Sequence, residues 1–182
     1  MSTKKNVLWI TRTAVLTSLL VTMQFITAPL GNQFVTGSIG NLIMIISLLT
    51  CGPATGLTVA VVSPICASLV GIGPAFPVLV PFIALGNAML IGAWFLFGLF
   101  NKSDKKVIGY LTAIVAAIIK FLTLYIGIVK IAMPYILNLN ENQSAMLSLS
   151  FSYPQIITAT IGGIIALIIV SPIKKAINSR NA

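Results

Sequence analysis

Apolar residues run in six blocks along this chain, separated by short breaks rich in Pro, Gly, Asn or Lys. The first block spans Val7 to Ala28 and is closed by Pro29. A polar, Gly-containing segment, Leu30–Ser38, follows it. Ile39–Thr50 is apolar up to Cys51-Gly52-Pro53, and Ala54–Val70 runs to the break Gly71-Ile72-Gly73-Pro74. Pro77–Phe100 is the fourth block and Asn101–Lys106 a charged loop. Val107–Ala132 is apolar except for Lys120 and Lys130. A polar, Asn-rich connection over Met133–Leu147 leads to the last block, Phe151–Val170, and to a basic tail, Ser171–Ala182. A membrane-crossing helix needs ~20 mostly apolar residues, within a range of roughly 17–25. The pattern therefore predicts an all-α integral membrane protein of six transmembrane helices, over residues 7–28, 39–50, 54–70, 77–100, 107–132 and 151–170. They form a single membrane domain over 1–182. The second helix is short for a full crossing. Pro64 and Pro81 are each expected to kink or open their helix, because proline removes an amide donor. No internal three-plus-three repeat is visible, which weighs against an inverted-repeat carrier.

Composition agrees with the pattern. Hydrophobic residues make up 58% of the 182, only 7% are charged, and the mean hydropathy is +1.07. A soluble domain carries about 25% charged residues. The net charge of +9 would suit nucleic acid, but the distribution of charge gives it another meaning. With six crossings both termini share one side. That side holds Lys4, Lys5, Arg12, Lys102, Lys105, Lys106, Lys174, Lys175 and Arg180, nine of the eleven basic residues. Cytoplasmic loops are enriched in Lys and Arg, so both termini are expected in the cytoplasm. No basic stripe interleaved with aromatics supports nucleic-acid binding. The start, MSTKKNVLWITRTAVL, has the basic-then-apolar order of a leader, yet the apolar run is long enough to span and shows no small-residue cleavage site. It reads as a retained first helix.

Several chemistries are excluded by composition. There is no His, and Asp104 and Glu141 are the only acids. A two-carboxylate hydrolase site and a Ser-His-Asp triad cannot be assembled. Cys51 and Cys66 lack CxxC spacing, and no His completes a metal site. No GxxxxGK[ST] loop is present, so ATP is not expected to be hydrolysed by this chain alone. The reading is of a protein that is not an enzyme and carries no cofactor of its own.

Polar residues inside the apolar blocks are then the informative ones. Lys120 is the only charge deep in a span, ~20 Å along the fifth helix at 1.5 Å per residue, just past the midplane. No acidic residue in any span can pair with it. Its ammonium either snorkels outward, faces water, loses its proton or meets an anionic ligand. Gln24, Asn41, Asn87 and Gln155 occupy the same outward half, with Ser68 and Tyr125 at similar depth. Each alone is explained by a helix-to-helix hydrogen bond. Together they outline a pocket of a few amides and one cation, suited to a small carboxylate with hydroxyl or amide groups. The outer segments Asn32–Ser38 and Asn138–Ser148 are polar and suit flexible lids, and Gly73–Pro77 is a stiff turn. Ala14 and Ser18, four apart on the first helix, give a small-residue face that lets another helix approach closely. Gly52 and Gly56 repeat the spacing, but Pro53 interrupts it.

These features resemble the substrate-binding S components of energy-coupling factor (ECF) vitamin transporters. The resemblance covers the whole chain: size, six spans, basic cytoplasmic ends and a short second helix. Members of that family carry an Ala-xxx-Ala patch on helix one, and the matching stretch is Ala14-Val15-Leu16-Thr17-Ser18, with Ser in place of the second Ala. The segment GIGPAFPVLVPFIALGN, Gly71 to Asn87, is similar to a subset of these proteins from Firmicutes, most of all the pantothenate type. The resemblance implies a binding subunit of a bacterial cell membrane importer, with no cofactor in this chain. It implies a partner module of one coupling membrane protein and two ATPase subunits that use ATP. It implies a vitamin bound in the outward half, by Gln24, Asn41, Asn87, Lys120, Tyr125 and Gln155, and docking through Ala14 and Ser18. The lack of an intramembrane acid disfavours cationic thiamine. Pantothenate is the first expectation, with folate, biotin and niacin as alternatives. A stand-alone ion-coupled carrier is the competing class, disfavoured because no intramembrane acid or His exists to relay protons.

Overall fold

The computed structural model describes residues 3–100, 106–137 and 139–180. Asn101 to Lys105 of the predicted inner loop, with Lys102, Asp104 and Lys105, lie outside the described residues. So do the side chains of Lys4, Lys106, Lys174, Lys175 and Arg180. The chain is helical almost throughout: α1 (Thr3–Thr27), α2 (Gln33–Cys51), α3 (Pro53–Leu69), α4 (Val80–Phe100), α5 (Lys106–Leu124), α6 (Met133–Tyr135), α7 (Glu141–Ser150) and α8 (Tyr153–Arg180). A π-helical stretch, Tyr125–Ala132, joins α5 to α6 without a break. Among the described residues, five stretches are long and apolar enough to cross a bilayer: Lys5–Leu30, Gln33–Cys51, Pro77–Leu99, Val107–Tyr135 and Glu141–Val170. A further apolar helix, α3, has 17 residues. With this architecture the chain is a multi-pass membrane protein.

Three expectations change. The second helix is not short: α2 starts at Gln33 and has 19 residues. Asn32 sets that start by accepting from the backbone N–H groups of Phe34 (3.0 Å) and Val35 (3.4 Å), which a helix otherwise leaves without partners. The polar stretch Gln33–Ser38 looked like a loop because its polar face turns to other helices rather than to lipid. The connection Met133–Leu147 is likewise not extended: it contains α6 and most of α7. Asn140 and Gln143 form a reciprocal capping box at the start of α7, at 2.9 and 3.3 Å. The polar segments read as flexible lids are therefore largely helical. Pro81 produces no interior break, because it is the second residue of α4, where amides have no intrahelical acceptor. Pro64 does sit inside its helix.

Short connections make chain neighbours antiparallel. The tightest is between α2 and α3, where Gly52 adopts φ +93° and Pro53 opens the next helix. The main core gathers Leu20, Ile43, Met44, Ile45, Leu48, Val59, Leu90, Ile91 and Trp94 with alanines of α5 and α8. A second, smaller cluster lies at the end of the bundle where α1 closes and α2 begins. There Leu79, Leu124, Ile128 and Ala132 pack with Phe76, Leu147 and Phe151. Large apolar side chains such as Val15, Phe25, Leu96, Ile126 and Ile168 are exposed around the rim, as a lipid-facing surface requires.

The most extensively packed pair is α2 with α8. Close approach there depends on glycine. A methyl group at Gly162 would lie 2.8 Å from the Ser38 carbonyl oxygen and the Leu42 nitrogen, and one at Gly37 would lie 3.0 Å from Thr158 Cγ2. Small residues at membrane helix interfaces allow backbones to meet in this way. Gly162→Ala should therefore lower the unfolding free energy in detergent by about 1–3 kcal/mol, the usual range for overpacking. Gly92→Ala, where an added methyl meets nothing within 4 Å, should leave it nearly unchanged. Thermal unfolding followed by tryptophan fluorescence measures both.

Candidate functional site

Lys120 lies on α5 and is 5% exposed. Its neighbours on the same helix, Ala113, Ala116, Ala117 and Leu124, are buried as well, so this face of α5 points into the bundle. A lysine placed there cannot reach water along its own helix. Its ammonium donates instead to the Asn41 side-chain oxygen at 2.7 Å. Asn41, 1% exposed, donates its amide N–H to the Thr158 hydroxyl oxygen at 3.3 Å, and that hydroxyl faces the Gln155 carbonyl at 3.4 Å. The polarity of this chain is fixed. An ammonium is donor-only, so the amide oxygen must face it and the amide N–H must face Thr158.

Two further polar groups border the cluster. Ser38, one helical turn before Asn41 on α2, has a buried hydroxyl without a hydrogen-bond partner. Gln24, from α1, approaches the backbone of α2 at Gly40, and its side-chain oxygen is also buried and unpartnered. A buried acceptor without a donor costs about 1–3 kcal/mol.

The other sequence-predicted residues have different tasks. Asn87 donates its amide to the Ala60 carbonyl at 3.3 Å. Ala60 is four residues before Pro64, whose missing N–H leaves that carbonyl without its intrahelical donor. Asn87 supplies the substitute across the α3–α4 interface, which explains how a proline survives inside α3. Gln155 donates to the Ser150 carbonyl at 3.0 Å, and Gln33 donates to the same oxygen at 2.6 Å. These two amides tie the end of α7 to α8 and to the start of α2. Tyr125 stacks on Phe121, with centroids 5.6 Å apart, and the Lys130 ammonium sits 5.7 Å from its ring. That distance is within cation–π range. The structure thus brings Lys120 and Asn41 together, with Gln24 against α2 at Gly40. It assigns Asn87, Gln155 and Tyr125 contacts of another kind. Thr158 and Ser38 were missed from the sequence. Ser38 shares a face with Asn41 at a spacing of three, which was legible; Thr158 in an apolar run gives no such signal.

Ala14 and Ser18 are exposed on α1. They line a groove of about 310 Å³ between α1 and α3, with Trp9, Ile10, Thr58 and Val62 among its walls. A larger groove of about 440 Å³ between α4 and α5 is lined almost wholly by apolar groups, including Phe82, Met89, Leu122 and Ile126, and does not reach Lys120 among its lining residues. Cys51 and Cys66 are free.

The family model for the substrate-specific component of ECF transporters matches residues 9–174. The chain belongs to this family, and it is a transporter subunit that works with an ECF module rather than an enzyme. No curated protein and no solved structure matches it.

The proline account is testable by a double-mutant cycle. Asn87→Ala should lower stability by about 1–3 kcal/mol in the native background, by leaving the Ala60 carbonyl unpaired. In a Pro64→Ala background the restored amide takes over that carbonyl, and Asn87→Ala should then have less than half the effect. Unfolding midpoints of the four proteins in one detergent decide it.

Proposed function

We propose that this subunit captures a small carboxylated vitamin, with pantothenate the first choice and folate, biotin or niacin the alternatives. The observation that carries the reading is Lys120: a lysine buried inside the bundle, in a sequence whose two acids, Asp104 and Glu141, both fall in the breaks between the apolar blocks. Its protein partner is a neutral amide. A neutral partner satisfies hydrogen bonding but not charge, and an intramembrane charge without a counter-ion marks a functional site. Asn41 is that partner, and Gln24 and Ser38 are the polar groups left to meet the ligand. Asn87, Gln155 and Tyr125 shape the surroundings rather than meet the ligand.

In the same reading the chain is one membrane domain crossing a bacterial cell membrane six times, with both termini in the cytoplasm. It uses no cofactor of its own. Energy comes from ATP hydrolysed by two ATPase subunits, passed through a coupling membrane protein that docks on α1 at Ala14 and Ser18. The exposure of both residues on a groove wall supports that docking face. No nucleic acid is involved.

Two experiments test this. A thermal-shift screen of the purified protein against water-soluble vitamins should give stabilisation by one carboxylated member, because a ligand bound to the folded state alone raises apparent stability. Lys120→Met should abolish that shift while the protein still unfolds cooperatively; an unchanged shift removes the anion site. Separately, Ala14→Phe or Ser18→Phe should leave the ligand shift intact and block ATP-driven uptake in vesicles containing the whole transporter. Undiminished uptake would place docking elsewhere.

A further inference from the structure

The Lys120–Asn41 contact joins two helices that otherwise barely meet. α2 packs chiefly on α8, α3 and α1, and α5 on α4 and α8. The lysine side chain reaches across to α2 and ends on a carboxamide oxygen at 2.7 Å. A carboxamide and a carboxylate share size and planar shape, and they differ in charge. The Asn41 oxygen therefore stands where a ligand carboxylate oxygen would be drawn. The donor-only ammonium fixes which way the amide faces, and the Thr158 hydroxyl, accepting from the amide N–H at 3.3 Å, holds its other end.

Building on the anion-site reading above, we propose that Asn41 is an internal stand-in for the ligand carboxylate. It holds the ammonium until an anion displaces it, and displacement unties α2 from α5. A hydrogen bond to an ionised acceptor is roughly twice as strong as one to a neutral acceptor, so a carboxylate wins this exchange and an uncharged analogue does not. The ammonium has three N–H donors and the carboxamide oxygen engages one, so the exchange needs no rearrangement of Lys120 itself. The spare acceptors of Ser38 and Gln24 lie beside α2, where the released amide and the ligand's own hydrogens find partners. Because Gly162 presses α8 against the backbone of Ser38 and Leu42, Asn41 yields by turning its side chain, and α2 keeps its seat on α8. Ligand binding is thereby registered between α2 and α5. Thr158 acts through Asn41 as a positioning residue.

The test uses the full-length protein in detergent, with pantothenate, folate, biotin and nicotinate as probes and panthenol and nicotinamide as uncharged analogues. Asn41→Asp places a true carboxylate beside Lys120. It should weaken binding of the stabilising acid by roughly 10- to 100-fold, the value of a charged hydrogen bond, while the ligand-free unfolding temperature stays at or above wild type. Asn41→Ala removes the stand-in and should leave acid binding equal to or tighter than wild type. Neither uncharged analogue should stabilise the wild type. If Lys120→Met abolishes binding but Asn41→Asp binds as wild type, or if Asn41→Ala weakens binding by tenfold or more, the stand-in is overturned and the anion site survives. If Lys120→Met binds normally, or if no acid stabilises the wild type, the anion site and the stand-in fall together.

Discussion

One buried lysine within a bilayer-spanning bundle sets the terms for the rest of this structure. Lys120 cannot be left to hydrocarbon, and the sequence offers it no acid. The bundle answers with Asn41 at 2.7 Å, Thr158 behind Asn41, and a backbone carbonyl behind Thr158. That chain works only if α8 lies very close to α2, and the closeness is enforced by Gly37 and Gly162. Packing at one interface and electrostatics at its centre are one constraint seen from two sides.

The remaining polar groups sort by what they satisfy. Many hydroxyls bond the carbonyl one turn back on their own helix, as Thr27, Ser47, Thr50, Thr112 and Thr123 do at 2.7–2.8 Å. In hydrocarbon this is the simplest way to hide a hydroxyl. Asn87 mends the backbone that Pro64 breaks. Gln33 and Gln155 converge on the carbonyl of Ser150. Among the described residues a few buried polar atoms are left unmatched, in Thr13, Thr17, Gln24, Ser38, Thr55 and Trp94. Family membership over residues 9–174 makes the chain a substrate-specific subunit of an ECF transporter.

Much of this was legible in the sequence, for physical reasons. Long apolar runs have few alternatives to membrane helices, and a lone lysine within one is conspicuous. The start of α2 and the whole of α7 were not legible. Their polar residues imitate loops, and only the caps at Asn32 and Asn140 betray them. Asn41 and Gln24 stand out because amides are rare in such runs, but rarity does not give a partner: Asn87 and Gln155 are just as rare and bond backbone carbonyls. Thr158 was invisible, because a threonine in an apolar helix is ordinarily satisfied by its own turn. The pairing of Pro64 with Asn87 needed the α3–α4 interface, which no spacing along the chain encodes.

The seating of α7 sets the tempo at one end of the molecule. The helix has no buried residue; it is held by Leu147, by Phe151 just past its end, and by two amides on one carbonyl oxygen. Local opening free energies in a protein run from near zero up to the global value, and lightly attached units lie at the low end. Amide hydrogens of residues 141–150 thus exchange with solvent long before those of α2 and α8. Light attachment at α7 and tight packing of α2 on α8 thus give the two ends of one bundle different opening free energies.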